Sequence, residues 1–514
     1  MLMIAISDGM NVVDESATIG SPALGKIKRF VKEAGLVTSR FLRGIDFSRH
    51  VPRRFSVRKA QVYGLFALCA LASWLRGGTH PALQSPLWLI AIALCLSLFF
   101  LASDERARIE RLIKADPVFR FGSLLLLVIV VQSLNSNYSV VSNDAGLSEM
   151  TRISPRLFPW SVEPGGAREM LVWFFPALVG ALIVRHLFEW RHIKFLLHLL
   201  MWNAALLAFV GLIQYLADSD LVLGIWRAPS RLFFATFDYV NHAAEWFYLN
   251  AFIALALLKD NFEKHKPPMQ AVVWAGILLL CVVAALLTLS RFGAVIALSI
   301  LFVALSMVAK RVLRKVSGTG TANVAVAIVI VAMLGVVLFL GAGGGSLAEE
   351  VGGKSVFGES SVANDLGDRV IQMPLALAIF GDSPLFGSGG WGYRWLASLH
   401  VHVDDPALWT AAGLTNVHCD PIQFLSEFGL VGTIALVWVL VQLVTPAVKK
   451  AKNSAISLWI GVGIGVIALH SLIDLPFRCP AVLYLWVILL AALPLFPKRS
   501  NSGKNRKNKG ECEA

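Results

Sequence analysis

Charge is scarce in this chain. Only 15% of its 514 residues are Asp, Glu, Lys or Arg, while 56% are hydrophobic. That balance excludes a soluble globule, because polar side chains are too few to cover the apolar surface. A signal peptide is also missing. The first 60 residues lack a compact basic region followed by an apolar core of about 7–15 residues, and they read as a basic cytoplasmic extension. The tail 498–514 has the same character. No solenoid-type repeat is present, and outside 345–420 no polar segment is long enough for a sizeable separate core. The six cysteines say little about compartment. Cys69, Cys95, Cys281 and Cys512 read as packing or surface residues. Cys419 and Cys479 fall at the ends of apolar runs, where a disulfide and two free thiols are both open.

What the chain does have is long apolar runs. Spans of the length needed for a hydrocarbon core of about 30 Å can be marked at 61–76, 86–103, 119–136, 170–186, 195–217, 238–258, 270–290, 292–309, 323–344, 422–446, 455–473 and 480–497. Twelve spans place both termini on one side. With the N-terminus assigned to the cytoplasm, all but 11 of the 46 Lys and Arg lie on that face, as the retention of basic loops requires. The formal charge of +13 follows from this asymmetry and from attraction to anionic lipid, so no nucleic acid is needed to explain it. The expected fold is all-α and polytopic: a membrane domain over 61–497 of about 12 helices, with one large outward loop, 345–420, between spans 9 and 10.

That loop ends at His418, at the mouth of a span. An imidazole there can take up or release a proton near neutral pH, which makes it the leading candidate for a general base. Outward arginines are few. Ser290-Arg291 lies in a very short turn, with Gly293 and Ala294 allowing close helix packing behind it. Arg369 lies in the large loop, and Arg227 and Arg231 flank Pro229 before the run from Phe237 to Asn241 and His242. Guanidinium forks suit the oxygens of a diphosphate, although a single outward arginine also commonly pairs with a nearby carboxylate or snorkels to the interface. Gly387-Ser-Gly389-Gly-Trp391-Gly392 formally matches a dinucleotide fingerprint, but no strand precedes it, and tight turns are the better reading. Trp391, Trp395 and Trp409 offer flat faces to sugar rings or anchors to the interface. His400 and His402 with Asp404 and Asp405 make only a weak metal pattern, so no metal is expected.

In order and spacing these residues resemble the bacterial O-antigen ligase and polymerase superfamily of membrane glycosyltransferases. The similar pieces are Ser290-Arg291 in an outward turn, Arg369 in the large loop, and His418-Cys419 followed by Gly429 and Gly432. Gln214, Phe237 to Ala244, Pro384 to Gly389 and His470-Ser-Leu-Ile-Asp474-Leu-Pro476 add to the likeness over roughly 170–495. Cys419 departs from the usual amide or hydroxyl neighbour. The resemblance implies an inverting, cofactor- and metal-independent enzyme in the bacterial inner membrane, with its active site facing the periplasm. Its donor would be an undecaprenyl-diphosphate-linked glycan, and its acceptor another glycan or lipid A core; a chain-length regulator would be a further partner. His418 would then be the base and Arg291 and Arg369 the diphosphate ligands. Arg227, Arg231, Ser290, Asn241 and Trp391 are the second-tier substrate contacts. Polymerase is favoured over ligase. A twelve-span secondary transporter is the alternative from another class, but halves with internal symmetry and charges deep in the spans are not evident.

Overall fold

The computed structural model describes residues 56–80, 84–142, 148–152, 158–227, 233–264, 266–316, 372–401, 416–451 and 454–497. The ninth expected span, 323–344, lies outside them, as do the extension to residue 55, the tail from 498, Arg231, Arg369, the His402 to Asp405 run and Trp409. The other spans fall on helices: α1 (Val57–Trp74), α2 (Gln84–Leu96), α4 (Pro117–Leu134), α5 (Pro164–Leu187), α6 (Trp190–Leu216), α7 (Val240–Glu263), α8 (Pro268–Leu287), α9 (Arg291–Val316), α11 (Asp420–Ala451), α12 (Ala455–His470) and α13 (Pro480–Ala492). The polar helix α3 (Ser103–Ala115) and the short α10 (Gly392–Leu396) complete the labelled helices, and a further helical stretch covers 372–382. Among the described residues six helices, α4, α5, α6, α8, α9 and α11, are long and apolar enough to cross a membrane by length and composition.

Local chemistry explains where these helices begin. Asp116 caps α4, accepting from Val118 N at 2.9 Å with Pro117 in the first turn. Glu163 caps α5 by accepting from Gly165 N and Gly166 N, and Ser454 caps α12 through Ser457 N. Two short antiparallel hairpins, β1 (Tyr138–Ser142) with β2 (Ser148–Arg152) and β3 (Leu221–Val222) with β4 (Trp226–Arg227), decorate the connections. Sequence periodicity does not announce them, because each is too short to alternate clearly.

The central element is α7, buried without interruption from Ala243 to Leu258 and packed against α8, α9 and α12. A helix buried on every face and mostly apolar belongs in the middle of a bundle. Peripheral helices instead expose large apolar side chains, with Leu89 at 65%, Val272 at 66% and Ile434 at 58% accessible, as a surface bathed by lipid requires. A second, smaller apolar cluster stands apart from this core. It gathers Trp160, Val162, Leu375, Ile379, Tyr393 and Leu396 around Val417 and Cys419, the two neighbours of His418.

The joint between cluster and bundle is a break in α11 at Gly429 (φ 62°, ψ −166°), a conformation essentially reserved for glycine. The turn segment from Pro384 enters this break. Leu430 N donates to Pro384 O at 2.8 Å, Val431 N to Leu385 O at 3.0 Å, and Gly389 N to Glu427 O at 2.8 Å. A Cβ on Gly429 would sit 2.5 Å from the Leu385 carbonyl, and one on Gly387 (φ 71°) 2.4 Å from that of Glu427.

Two predictions follow from this packing. Gly429→Ala should lower thermal stability in detergent by about 3 kcal/mol or more, since neither backbone can retreat. Gly465→Ala, in open space on α12, should stay within about 1 kcal/mol of the parent in the same melt. On the opposite flank, Asp116 binds Arg185 at 2.9 Å and His186 at 2.8 Å. Burial pushes its pKa up, but bonds from His186, Val118 N and Arg185 outweigh burial and hold it at about 2. A lowered folded pKa stabilises above the unfolded value, so this contribution is complete at neutral pH. It should fade as pH falls below about 4 towards 2, and a pH series of melts on Asp116→Asn should lack that component.

Candidate functional site

His418 occupies the turn that feeds α11, in the left-handed region (φ 51°), where histidine is tolerated better than most residues. The turn is fastened on several sides. Val417 N donates to Gln423 Oε1 at 3.0 Å, and the Gln423 amide donates to Asn416 Oδ1 at 3.2 Å and to Glu427 Oε1 at 2.9 Å. The Gln372 amide, its nitrogen turned toward them, donates to the Asn416 and Val417 carbonyls at 2.9 and 3.0 Å. Asp420 N donates to Ser471 O at 2.9 Å, and Asp420 Oδ2 accepts from Phe477 N at 2.9 Å, which ties the turn to the 471–478 segment. The backbone is thus held while the imidazole remains 23% accessible.

Behind the imidazole lies Asp474, fully buried, with Oδ1 3.5 Å from His418 Nδ1. Tyr239 Oη donates to Asp474 at 3.2 Å, Leu475 N donates at 2.9 Å, and Asn241 Nδ2 donates to Oδ2. His470 Nε2 stands 3.8 Å from Oδ2, and the other ring nitrogen, Nδ1, is 3.0 Å from Glu245 Oε1 and 3.0 Å from Tyr248 Oη. Phe292 stacks on the His470 ring at 4.0 Å, which sets the Ser290-Arg291 turn beside this group. Glu245, His470 and Asp474 each offer one ligand atom within 4.8 Å of the others. Both Asp474 oxygens also accept hydrogen bonds, whereas neither Glu245 oxygen does.

On the other side of His418, Arg478 binds Glu427 Oε2 at 2.7 Å and faces Asp420 Oδ1 at 3.7 Å. Trp391 carries two guanidinium groups, Arg394 at 3.7 Å and Arg478 at 4.9 Å from its ring, and its Nε1 donates to Glu169 at 2.7 Å. A cavity of about 400 Å³ lies among α4, α5, α11, α12 and α13. Its lining is apolar apart from Asp420, Thr433, Ser471 and Arg478.

The sequence candidates divide accordingly. His418, Asn241 and the Ser290-Arg291 turn come together around Asp474 and His470. Ser290 itself is buried as the cap of α9, its Oγ accepting from Gly293 N at 3.3 Å. Gly293 does allow close packing, with Ala244 Cβ 2.6 Å from where its own Cβ would stand. Trp391 is buried and turned to cations instead of offering an open face to a sugar. Arg227 is exposed on β4. Arg231 and Arg369 lie outside the described residues. Cys419 and Cys479 are both free and buried; Cys479 Sγ donates to Gly77 O at 3.4 Å, while Cys419 packs in the outer cluster. Sequence reasoning missed Glu245, His470, Asp474, Arg394 and Arg478 as site residues. Glu245, an acid inside an apolar run, was the available signal.

Residues 276–437 match the family model described as O-Antigen ligase, which bears out the resemblance to the O-antigen ligase and polymerase superfamily. No curated protein matches the chain. The matched region holds Ser290-Arg291, His418 and the Gly429 break, whereas Glu245, His470, Asp474 and Arg478 stand outside it.

Removing the Arg478 guanidinium would strand two buried carboxylates, Glu427 and Asp420. Arg478→Met should therefore cost about 3–5 kcal/mol in a detergent melt, and Glu427→Gln combined with Arg478→Met should recover part of that loss.

Proposed function

We infer, for a chain that carries an O-antigen ligase region, that it is an inverting membrane glycosyltransferase of the bacterial inner membrane, working on undecaprenyl-diphosphate-linked glycan at the periplasmic face. The carrying observation is His418, accessible at the outer mouth of α11 and backed by a buried carboxylate 3.5 Å from Nδ1. With Nδ1–H turned to Asp474, Nε2 is free to take the proton of an acceptor hydroxyl as its oxygen attacks the anomeric carbon. The new glycosidic bond forms as the bond to the lipid diphosphate breaks, on the opposite face of the sugar, so configuration inverts. Asp474 stabilises the imidazolium, and Tyr239, Asn241 and Leu475 N hold Asp474 in place.

Arg291 and Arg369 hold the departing diphosphate, with Arg227 and Arg231 in support, and Arg394, exposed above Trp391, is an added candidate for the same task. The activated bond and its leaving group arrive together on the lipid, so the reaction needs neither nucleotide nor metal. The apolar cavity beside Asp420 and Arg478 suits the lipid part of such a donor. The membrane domain is taken to span 61–497 in about 12 helices between a basic N-terminal extension and a basic tail. Polymerase is favoured over ligase, since the Phe424 to Gly432 and His470 to Pro476 runs are more similar to exopolysaccharide-type members.

The test is complementation of a strain lacking the gene, at matched membrane levels, with surface glycan and lipid-linked intermediates run on one gel. His418→Ala and Arg291→Ala should each cut glycan transfer by about a hundredfold or more and accumulate lipid-linked donor. Asp474→Asn should lose somewhat less. The ladder pattern in the parent separates polymerase from ligase. Normal glycan from both His418→Ala and Arg291→Ala would sink this assignment and turn attention to transport.

A further inference from the structure

Near the start of α7, Glu245 is wholly buried, and among the described residues neither of its carboxylate oxygens has a hydrogen-bond partner. A carboxylate deprived of both water and donors is costly to bury, most of all in a membrane bundle. It does not lie alone. Glu245, His470 and Asp474 are all buried, and each offers one ligand atom within 4.8 Å of the others. Glu245 Oε1 is 3.0 Å from His470 Nδ1, and Asp474 Oδ2 is 3.8 Å from His470 Nε2. Two bonds of about 2.0–2.2 Å to a shared ion span up to about 4.4 Å, so the trio closes on one with a shift of about half an ångström or less.

The surroundings suit a ligand set. Tyr248 Oη lies 3.0 Å from His470 Nδ1, and Phe292 stacks on the ring at 4.0 Å, so the imidazole is fixed in both plane and rotation. With the Nδ1 proton donated to Tyr248, the Nε2 lone pair turns toward Asp474 Oδ2. That is the outer-sphere bond by which a metal-binding histidine is oriented. Tyr239 Oη and Leu475 N donate to Asp474 Oδ1, and Asn241 Nδ2 donates to Oδ2. A carboxylate oxygen has two lone pairs, so the Asn241 bond orients Oδ2 and leaves it able to hold an ion.

We propose that Glu245, His470 and Asp474 bind a divalent cation of the class that takes imidazole and carboxylate together, zinc or manganese. Calcium and magnesium favour sets made only of oxygen, which the imidazole excludes. The charges close. Two carboxylates and a neutral imidazole sum to minus two, and the ion brings the buried group to zero while giving the Glu245 oxygens a partner. The ion ties α7 to the 470–474 turn and anchors Asp474 through Oδ2, with Oδ1 turned to His418. It is structural: no step of glycan transfer passes through it, and its binding is independent of whether His418 is the base. In the sequence its ligands are one acid in an apolar run and a remote His470-x-x-x-Asp474 pair, a separation that no metal-site spacing announces.

The test uses the full-length protein, purified in detergent without chelator as the parent, Glu245→Gln and His418→Ala, with bound metal counted by mass spectrometry. About one equivalent of zinc or manganese per chain is expected in the parent and in His418→Ala, and less than about a tenth of that in Glu245→Gln. Stripping the parent with chelator should lower its Tm by about 3–5 °C, and adding back zinc or manganese, but not magnesium, should restore it. The Glu245→Gln melt should be the same in all four conditions. A parent that carries neither metal and melts indifferently to both overturns the proposal. So does metal that stays in Glu245→Gln at the level of the parent, because it is then bound elsewhere. If Glu245→Gln does not assemble, X-ray absorption of the zinc-loaded parent decides the matter: one imidazole among oxygen ligands is expected, and sulfur or a second imidazole overturns the site. Glycan transfer is read separately, since normal glycan from His418→Ala would remove the base assignment and leave the metal count standing.

Discussion

A buried carboxylate, Asp474, is the constraint on which the His418 end of this bundle depends. Taken out of water, its charge has to be met by donors, and the chain delivers them from two directions, Tyr239 and Asn241 from the opening of α7 and Leu475 N from its own turn, while the imidazole of His418 comes within 3.5 Å from the mouth of α11. Elements far apart in sequence are thereby required to meet at one point. The meeting places the accessible ring of His418 at a fixed orientation, which is what a general base needs.

The same end of the molecule solves a second problem, that of fixing the turn at His418 against the helix bundle. It uses a small apolar cluster around Val417 and Cys419, and a backbone crossing at Gly387 and Gly429 too close for any side chain. The glycine of the motif after His418 is therefore a joint. It lets the Pro384 to Gly389 segment dock into a broken helix, and it turns two motifs that look independent in the sequence into one piece of structure.

Much of this was legible beforehand. Long apolar runs located the helices, because crossing a hydrocarbon layer demands internally satisfied backbone over about 20 residues, and little else in a sequence looks like that. His418 and Arg291 stood out because a proton-exchanging ring and a cation at the edge of a span are unusual there. The local settings of Ser290 and Trp391 were not legible: one caps a helix and the other stacks with guanidinium groups, and neither arrangement has a signature in spacing alone. The two hairpins and helix α3 were hidden in the connections between spans.

By itself the sequence determined the class of molecule, the run of helices and the residue types able to do the chemistry, since these depend on composition and on neighbours along the chain. Only the tertiary structure decided which carboxylate stands behind His418, that Glu245 and His470 lie next to each other beneath it, that Cys419 and Cys479 stay free thiols, and that Arg478 joins Glu427 to Asp420. Those pairings join residues tens to hundreds of positions apart, and a buried charge chooses its partner by distance and desolvation in space, which no local pattern records.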